Sequence, residues 1–295
     1  MPALADELWR DIHYASFDDL RLYARHYPAR GATARSVVCL PGLTRNSKDF
    51  HTLAWYLSTH PERPRDVYCL DFRGRGASQF DRHWHNYTPL IELRDTLDFM
   101  AIVGLHQAAI VGTSRGGIVA MMMGALRPTA MGVVVLNDIG PVMETRGLAR
   151  IMGYVGKMPV PRTWDDAVVQ LREMNGRAFS AIAAAQWEEI AHDLFNERKG
   201  RPARGYDPKI GRAFRGVDLR RPAPALWPQF TALQQFPAFV LRGANSDLLS
   251  AETVSAMVER HPNLRTVTVP GQGHAPFLRD RDSVEAIEMF LAAND

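Results

Sequence analysis

Six short apolar runs, at 36–40, 66–70, 108–111, 132–136, 237–241 and 264–269, set the terms for what this chain can fold into. Their apolar character reads as continuous rather than alternating, which fits strands covered on both faces, as in a parallel sheet. Helix-like stretches at 53–60, 90–105, 118–126, 250–260 and 282–293 separate most of them. Strand–helix alternation of this kind predicts a doubly wound α/β architecture. Ahead of the first run, 9–14 and 20–27 flank Phe17-Asp18-Asp19 and read as a β-hairpin at the sheet edge. A chain of 295 residues has room for one large α/β domain with an insertion.

The rhythm breaks between Val142 and Ala232. No strand is evident there. Helix-like segments at 163–174 and 181–195 take over, with Trp164, Trp187 and Trp227 and with Pro- and Gly-rich connectors such as 200–205. The stretch reads as a helical insertion over the carboxyl edge of the sheet. The expected division is a core of 1–142 and 233–295 and a helical cap of 143–232.

Between the third run and the helix-like stretch that follows it lies Gly112-Thr113-Ser114-Arg115-Gly116, a G-x-S-x-G pentapeptide. The five letters alone are weak, but placed strand–turn–helix they describe a serine on a sharp turn with its Oγ at the top of the sheet. The positive end of the following helix favours negative charge beside that serine.

A serine nucleophile needs a base, an acid that orients the base, and donors for the oxyanion. His274 is the candidate base, in the glycine-rich loop Pro270-Gly271-Gln272-Gly273-His274 after the last strand. Two acids compete. Asp247 follows the fifth run and Asp138 the fourth, and the chain order Ser…Asp…His, with the acid after the strand nearest the histidine, favours Asp247 over Asp138. The oxyanion donors are expected to be the backbone N–H groups of Arg115 and of Leu43, in the turn Pro41-Gly42-Leu43-Thr44.

These elements together resemble the α/β-hydrolase superfamily, and the likeness covers nearly the whole chain. The elbow at 112–116, the turn at 41–43, the Asp71-Phe72-Arg73-Gly74-Arg75-Gly76-Ala77-Ser78 turn, the segment 243–247 and Gly273-His274 occur in the family's order. The resemblance implies an eight-stranded, mostly parallel sheet flanked by helices, a Ser-His-Asp triad, a cap domain at the helical insertion, and no cofactor. Pro41 departs from the histidine many members carry there, and Arg115 from the usual Met or Leu. The second departure leaves the backbone donor intact and sets a cation beside the nucleophile.

Arg45, Arg73 and Arg115 flank these loops, and a guanidinium there could take a substrate carboxylate bidentately, or simply brace the loops against Asp71, Asp49 or Asp138. Arg45, Trp164 and Trp187 are the candidate substrate-binding residues. The reading is a serine hydrolase of a small ester or lactone. Amide or carbon–carbon bond hydrolysis, cofactor-free perhydrolase chemistry and a non-catalytic ligand-binding role are the alternatives. Dehalogenase and epoxide hydrolase chemistry is disfavoured, because those members carry Asp where Ser114 stands.

Composition narrows the partners. Hydrophobic content of 46% and charged content of 23% belong to an ordinary globular protein. A net charge of +3 without a dense basic block argues against nucleic acid. No run is long enough for a membrane span. Residues 1–13 lack the apolar region of a signal peptide, which points to the cytoplasm. Cys39 and Cys69 read as buried thiols, and no Cys/His spacing suggests a metal. The expected partner is a small-molecule substrate, and the candidate assembly is a homodimer.

Overall fold

The structure is a computed structural model, and it describes residues 8–32 and 34–295. The first seven residues, part of the leader reading above, lie outside that range. One sheet of eight strands dominates. Its members in chain order are β1 (Arg10–Ala15), β2 (Arg21–Tyr27), β3 (Val37–Leu40), β4 (Val67–Asp71), β5 (Ala108–Thr113), β6 (Met131–Asn137), then, after a detached pair β7 (Asn196–Arg198) and β8 (Arg201–Ala203), β9 (Ala238–Gly243) and β10 (Leu264–Val269). The spatial order is β1-β2-β4-β3-β5-β6-β9-β10. β1–β2 and β2–β4 pair antiparallel, and every other neighbouring pair is parallel. The expected eight-stranded, mostly parallel α/β sheet is therefore present.

Side-chain alternation along the central strands divides the core in two. Val38, Leu40, Ile110, Val134, Leu136 and Val240 face helices α2 (Pro89–Ile102) and α3 (Arg115–Leu126). Val37, Cys39, Ala109, Val111, Val135 and Leu241 face α1 (His51–Ser58) and the C-terminal helix (Arg281–Ala292). Cys39 and Cys69 are free, buried and opposite one another in the β3–β4 register. The edge strand β10 differs from the continuous pattern. Its residues are mostly half-buried or exposed, because only one neighbour and one face cover it.

Between β6 and β9 run α4 (Thr145–Tyr154), α5 (Trp164–Asn175), α6 (Gln186–Leu194) and the short α7 (Trp227–Thr231). α8 (Ala251–Arg260) and α9, the C-terminal helix, follow in the last third. Helix α5 begins at a reciprocal capping box, in which Thr163 and Asp166 each accept the other's backbone N–H. Helices α5 and α6 share a cluster of their own with Leu171, Phe179, Trp187, Ile190 and Leu194. Ile151 and Val155 near α4, with Ile210 and Phe230, join the main core instead.

The hairpin β7–β8 corrects the expectation that 143–232 contains no strand. Its strands have three residues each, too few to show a period, and they pair antiparallel across Lys199-Gly200, both with positive φ. Among the described residues no helix is long and apolar enough to cross a membrane.

Candidate active site

Ser114 sits where β5 ends and α3 begins, with φ 51° and ψ −109°. A non-glycine residue in that region is strained, and the surrounding packing must hold it there. Two glycines make the turn sterically feasible. A Cβ at Gly112 would meet the Gly116 carbonyl at 2.6 Å, and one at Gly116 would meet Leu40 O at 2.0 Å. Helix α3 starts immediately, so its N–H end adjoins the serine.

His274 reaches Ser114 from the loop after β10. Its Nε2 lies 2.8 Å from Ser114 Oγ, and its Nδ1 lies 2.8 Å from Asp138 Oδ2. Asp138 is fully buried just past β6 and also has a positive φ of 55°. Its carboxylate accepts the Gly243 N–H at 2.7 Å and the Ser246 hydroxyl at 2.6 Å. A buried carboxylate with three donors is held in one orientation and has its charge compensated. Such an acid fixes the imidazole tautomer with Nδ1–H toward itself and Nε2 toward the serine.

The favoured acid, Asp247, is not the one that meets the histidine. Its carboxylate accepts Arg150 Nε at 2.6 Å and Arg150 Nη2 at 2.8 Å. Burial pushes the Asp247 carboxyl up, but the Arg150 guanidinium outweighs it and holds the group below the usual carboxylate range. Asp138 is held in its place by donors from the end of β9 and the turn after it, Gly243 N–H and Ser246 Oγ.

Neither Leu43 N–H nor Arg115 N–H has a hydrogen-bond partner among the described residues. Both belong to turns that meet at Ser114. A Cβ on Gly42 would come within 3.9 Å of Ser114 Cβ.

A cavity of about 120 Å³ opens over Ser114 and His274. Leu43, Arg45, Arg150, Tyr154, Leu171 and Phe179 contribute to its wall. That is close to the size of a cavity that holds one benzene ring. The tryptophans expected to bind substrate are not in this wall. Trp187 is buried in the α5–α6 cluster, edge-on to Phe277, and Trp164 stacks on His192 at 3.7 Å between ring centroids. Both are consumed by packing.

The arginines separate as well. Arg73 is fully buried and paired with Asp95, Asp81 and Asp18. Arg115 turns away from the cavity to Glu92 Oε2 at 2.6 Å and Tyr87 O at 3.0 Å. Arg45 does line the cavity, with Nε 2.6 Å from Asp49 Oδ2. Arg150 lines it too and is the residue that sequence reasoning missed. Its helix, α4, lies outside the two helix-like segments read in the insertion, although Leu148, Ile151 and Val155 repeat at helical spacing. The Nη1 atoms of Arg45 and Arg150 make no hydrogen bond among the described residues.

Known proteins agree with this architecture. A 3-hydroxybutyrate-oligomer hydrolase of Cupriavidus necator is 31% identical over 280 residues, covering 92% of this chain and 93% of its own length. A 2-(acetamidomethylene)succinate hydrolase of Mesorhizobium japonicum is 26% identical over 251 residues, or 83% of this chain and 79% of its own. A solved α/β hydrolase from Novosphingobium aromaticivorans is 36% identical, covers 97% of this chain and 98% of its own, and superposes with a TM-score of 0.86. The profile of the alpha/beta hydrolase family matches residues 37–287. With that match over most of its length, the chain belongs to the alpha/beta hydrolase family.

Proposed function

We propose that this protein is a serine hydrolase that cleaves short esters carrying a free carboxylate, with a 3-hydroxyalkanoate dimer as the representative substrate. The observation that carries the chemistry is the series Ser114 Oγ–His274 Nε2 and His274 Nδ1–Asp138 Oδ2, each link 2.8 Å. Ser114 Oγ bonds to the carbonyl carbon while its proton passes to His274 Nε2. The carbonyl π pair moves onto oxygen, where the N–H groups of Leu43 and Arg115 receive it. Collapse of that oxyanion breaks the bond to the leaving alcohol, which takes the proton from His274. Water then attacks the acyl group by the same route, releasing the acid and restoring Ser114. Asp138 stabilises the imidazolium formed in each half.

The carboxylate preference is supported by Arg45 and Arg150 in the cavity wall, and the short chain by the cavity's size. The Cupriavidus necator relative is named for an oligomer of that substrate class. The α5–α6 unit acts as a cap whose side chains Leu171 and Phe179 cover the acyl group.

The test compares kcat/KM for a 3-hydroxybutyrate dimer with that for its methyl ester, with Ser114→Ala as control. Preference for the free acid, abolished in the control, supports the reading. Preference for the methyl ester leaves a carboxylesterase without a carboxylate subsite. Turnover that persists in Ser114→Ala removes the nucleophile assignment altogether.

A further inference from the structure

Between the two turns that meet at Ser114 lies a buried row of charges that the reaction as written does not use. Arg75 is fully buried, and its Nε donates to Leu43 O at 2.8 Å. Its Nη1 donates to Arg73 O at 2.7 Å. Its Nη2 stands 2.9 Å from Glu92 Oε1, an ion pair without hydrogen-bond alignment. Glu92, on α2, is also fully buried, and its other oxygen accepts Arg115 Nε at 2.6 Å. Arg115 Nη2 then reaches Tyr87 O at 3.0 Å. The row runs Leu43 O, Arg75, Glu92, Arg115. Its two ends are the residues whose N–H groups are the proposed oxyanion donors.

Buried ion triads of this kind are poor sources of stability, because desolvation offsets most of the attraction. Here burial pushes the Glu92 carboxyl up, but the two guanidiniums outweigh it and hold it below the usual range. What such a row does supply is a fixed distance between its ends, since each link is short, charged and enclosed. Leu43 is held through its carbonyl and Arg115 through its side chain, so both N–H groups stay free. An oxyanion hole needs this preorganisation: two donors from separate loops must converge on one point before the charge develops.

We propose that Glu92 and Arg75 are positioning residues, bridging Leu43 to Arg115 and thereby setting the spacing of the two oxyanion donors. This rests on the serine hydrolase reading above. It also accounts for Arg115, a cation at a position the family usually fills with Met or Leu. Its side chain serves the bridge and its backbone serves the substrate.

The experiment measures Glu92→Gln and Arg115→Met on the purified full chain, each checked by circular dichroism. Arg115 lies nearer the surface, so Arg115→Met breaks the bridge from its accessible end if Glu92→Gln does not fold. Both keep every backbone donor. The bridge predicts a fall in kcat of about 10- to 100-fold, the scale of a small misplacement of reacting groups, with KM changed by less than about twofold. A trifluoromethyl ketone analogue, which becomes an oxyanion when Ser114 adds to it, should weaken by the same factor as kcat/KM. A substrate analogue with an ether in place of the scissile ester, which has no carbonyl to become an oxyanion, should bind as before. A purely structural role would move the ether and the ketone together, and that result overturns the proposal. Unchanged kcat in folded variants overturns it too, while the wild-type enzyme's labelling by a fluorophosphonate at Ser114 keeps the hydrolase reading intact. Absence of that labelling in the wild type overturns both.

Discussion

Asp138 and Asp247 stand just past neighbouring parallel strands, at the same edge of the same sheet, and they have been put to opposite uses. Asp138 is sealed from water and accepts from a histidine, a hydroxyl and a backbone amide. Asp247 is half-buried behind the cavity wall and, among the described residues, its side chain pairs with the guanidinium of Arg150. The first is surrounded by donors that fix it. The second is one half of a partly exposed ion pair, with side-chain exposures of 35% for Arg150 and 17% for Asp247. A carboxylate in the right loop is thus no guide to its role. The donors that converge on it are.

The largest expected effect divides the two most sharply. Asp138→Asn should lower kcat by about 10⁴-fold, because an amide in place of the acid favours the wrong imidazole tautomer. Asp247→Asn should change kcat by less than about tenfold, as one exposed pair contributes little. Steady-state rates on one ester decide it, and the reverse ranking would return the acid role to Asp247. Next in size is Arg150→Met. It should raise KM for the free-acid ester by about tenfold or more, since a hydrogen bond to a charged group is worth about 1.5–3 kcal/mol. KM for the methyl ester should stay put, and equal changes for both esters would reduce Arg150 to a brace.

Ser246→Ala sharpens the contrast on the stability side. It removes one donor from the buried Asp138, and urea unfolding should show a loss of about 1.5–3 kcal/mol. The smallest effect is in acid. The folded-state pKa of Asp247 lies below its ordinary value. Its stabilising share is therefore complete above about pH 3.9 and fades as pH falls through the lower folded value. Asp247→Asn should flatten the acid limb of the stability curve by less than about 1 kcal/mol, the scale of an exposed pair. An unaltered limb would mean that the pair adds nothing to folding.

Much of this was legible in the chain, for a local reason. Strand, elbow and helix are encoded within a dozen residues around Ser114, and the glycines at 112 and 116 are dictated by contacts under 3 Å within that turn and with β3. His274 was legible because a glycine-rich loop after a final strand has few other places to send a side chain. What failed was non-local. Asp247 is separated by 97 positions from the arginine that claims it, and no spacing rule reports such a pairing. Trp164 and Trp187 carry large apolar area, and in the absence of coordinates a packed aromatic reads the same as one lining a cavity. Arg75 and Glu92 gave no signal, since a buried ion pair is written in the same letters as a solvated one.

The loop that carries Arg45 is stapled to α6. Asn46 Nδ2 donates to Asp193 O at 2.8 Å, and Lys48 Nζ donates to Phe195 O at 2.7 Å and to His192 O. Those carbonyls are the otherwise unmatched end of the helix. Helix and loop are therefore geared. A displacement of α6 must either shear three hydrogen bonds or drag the loop, and with it the rim that ends in Leu43. A substitution on the outer surface of α6 therefore has a lever on the Arg45 loop without touching the cavity itself.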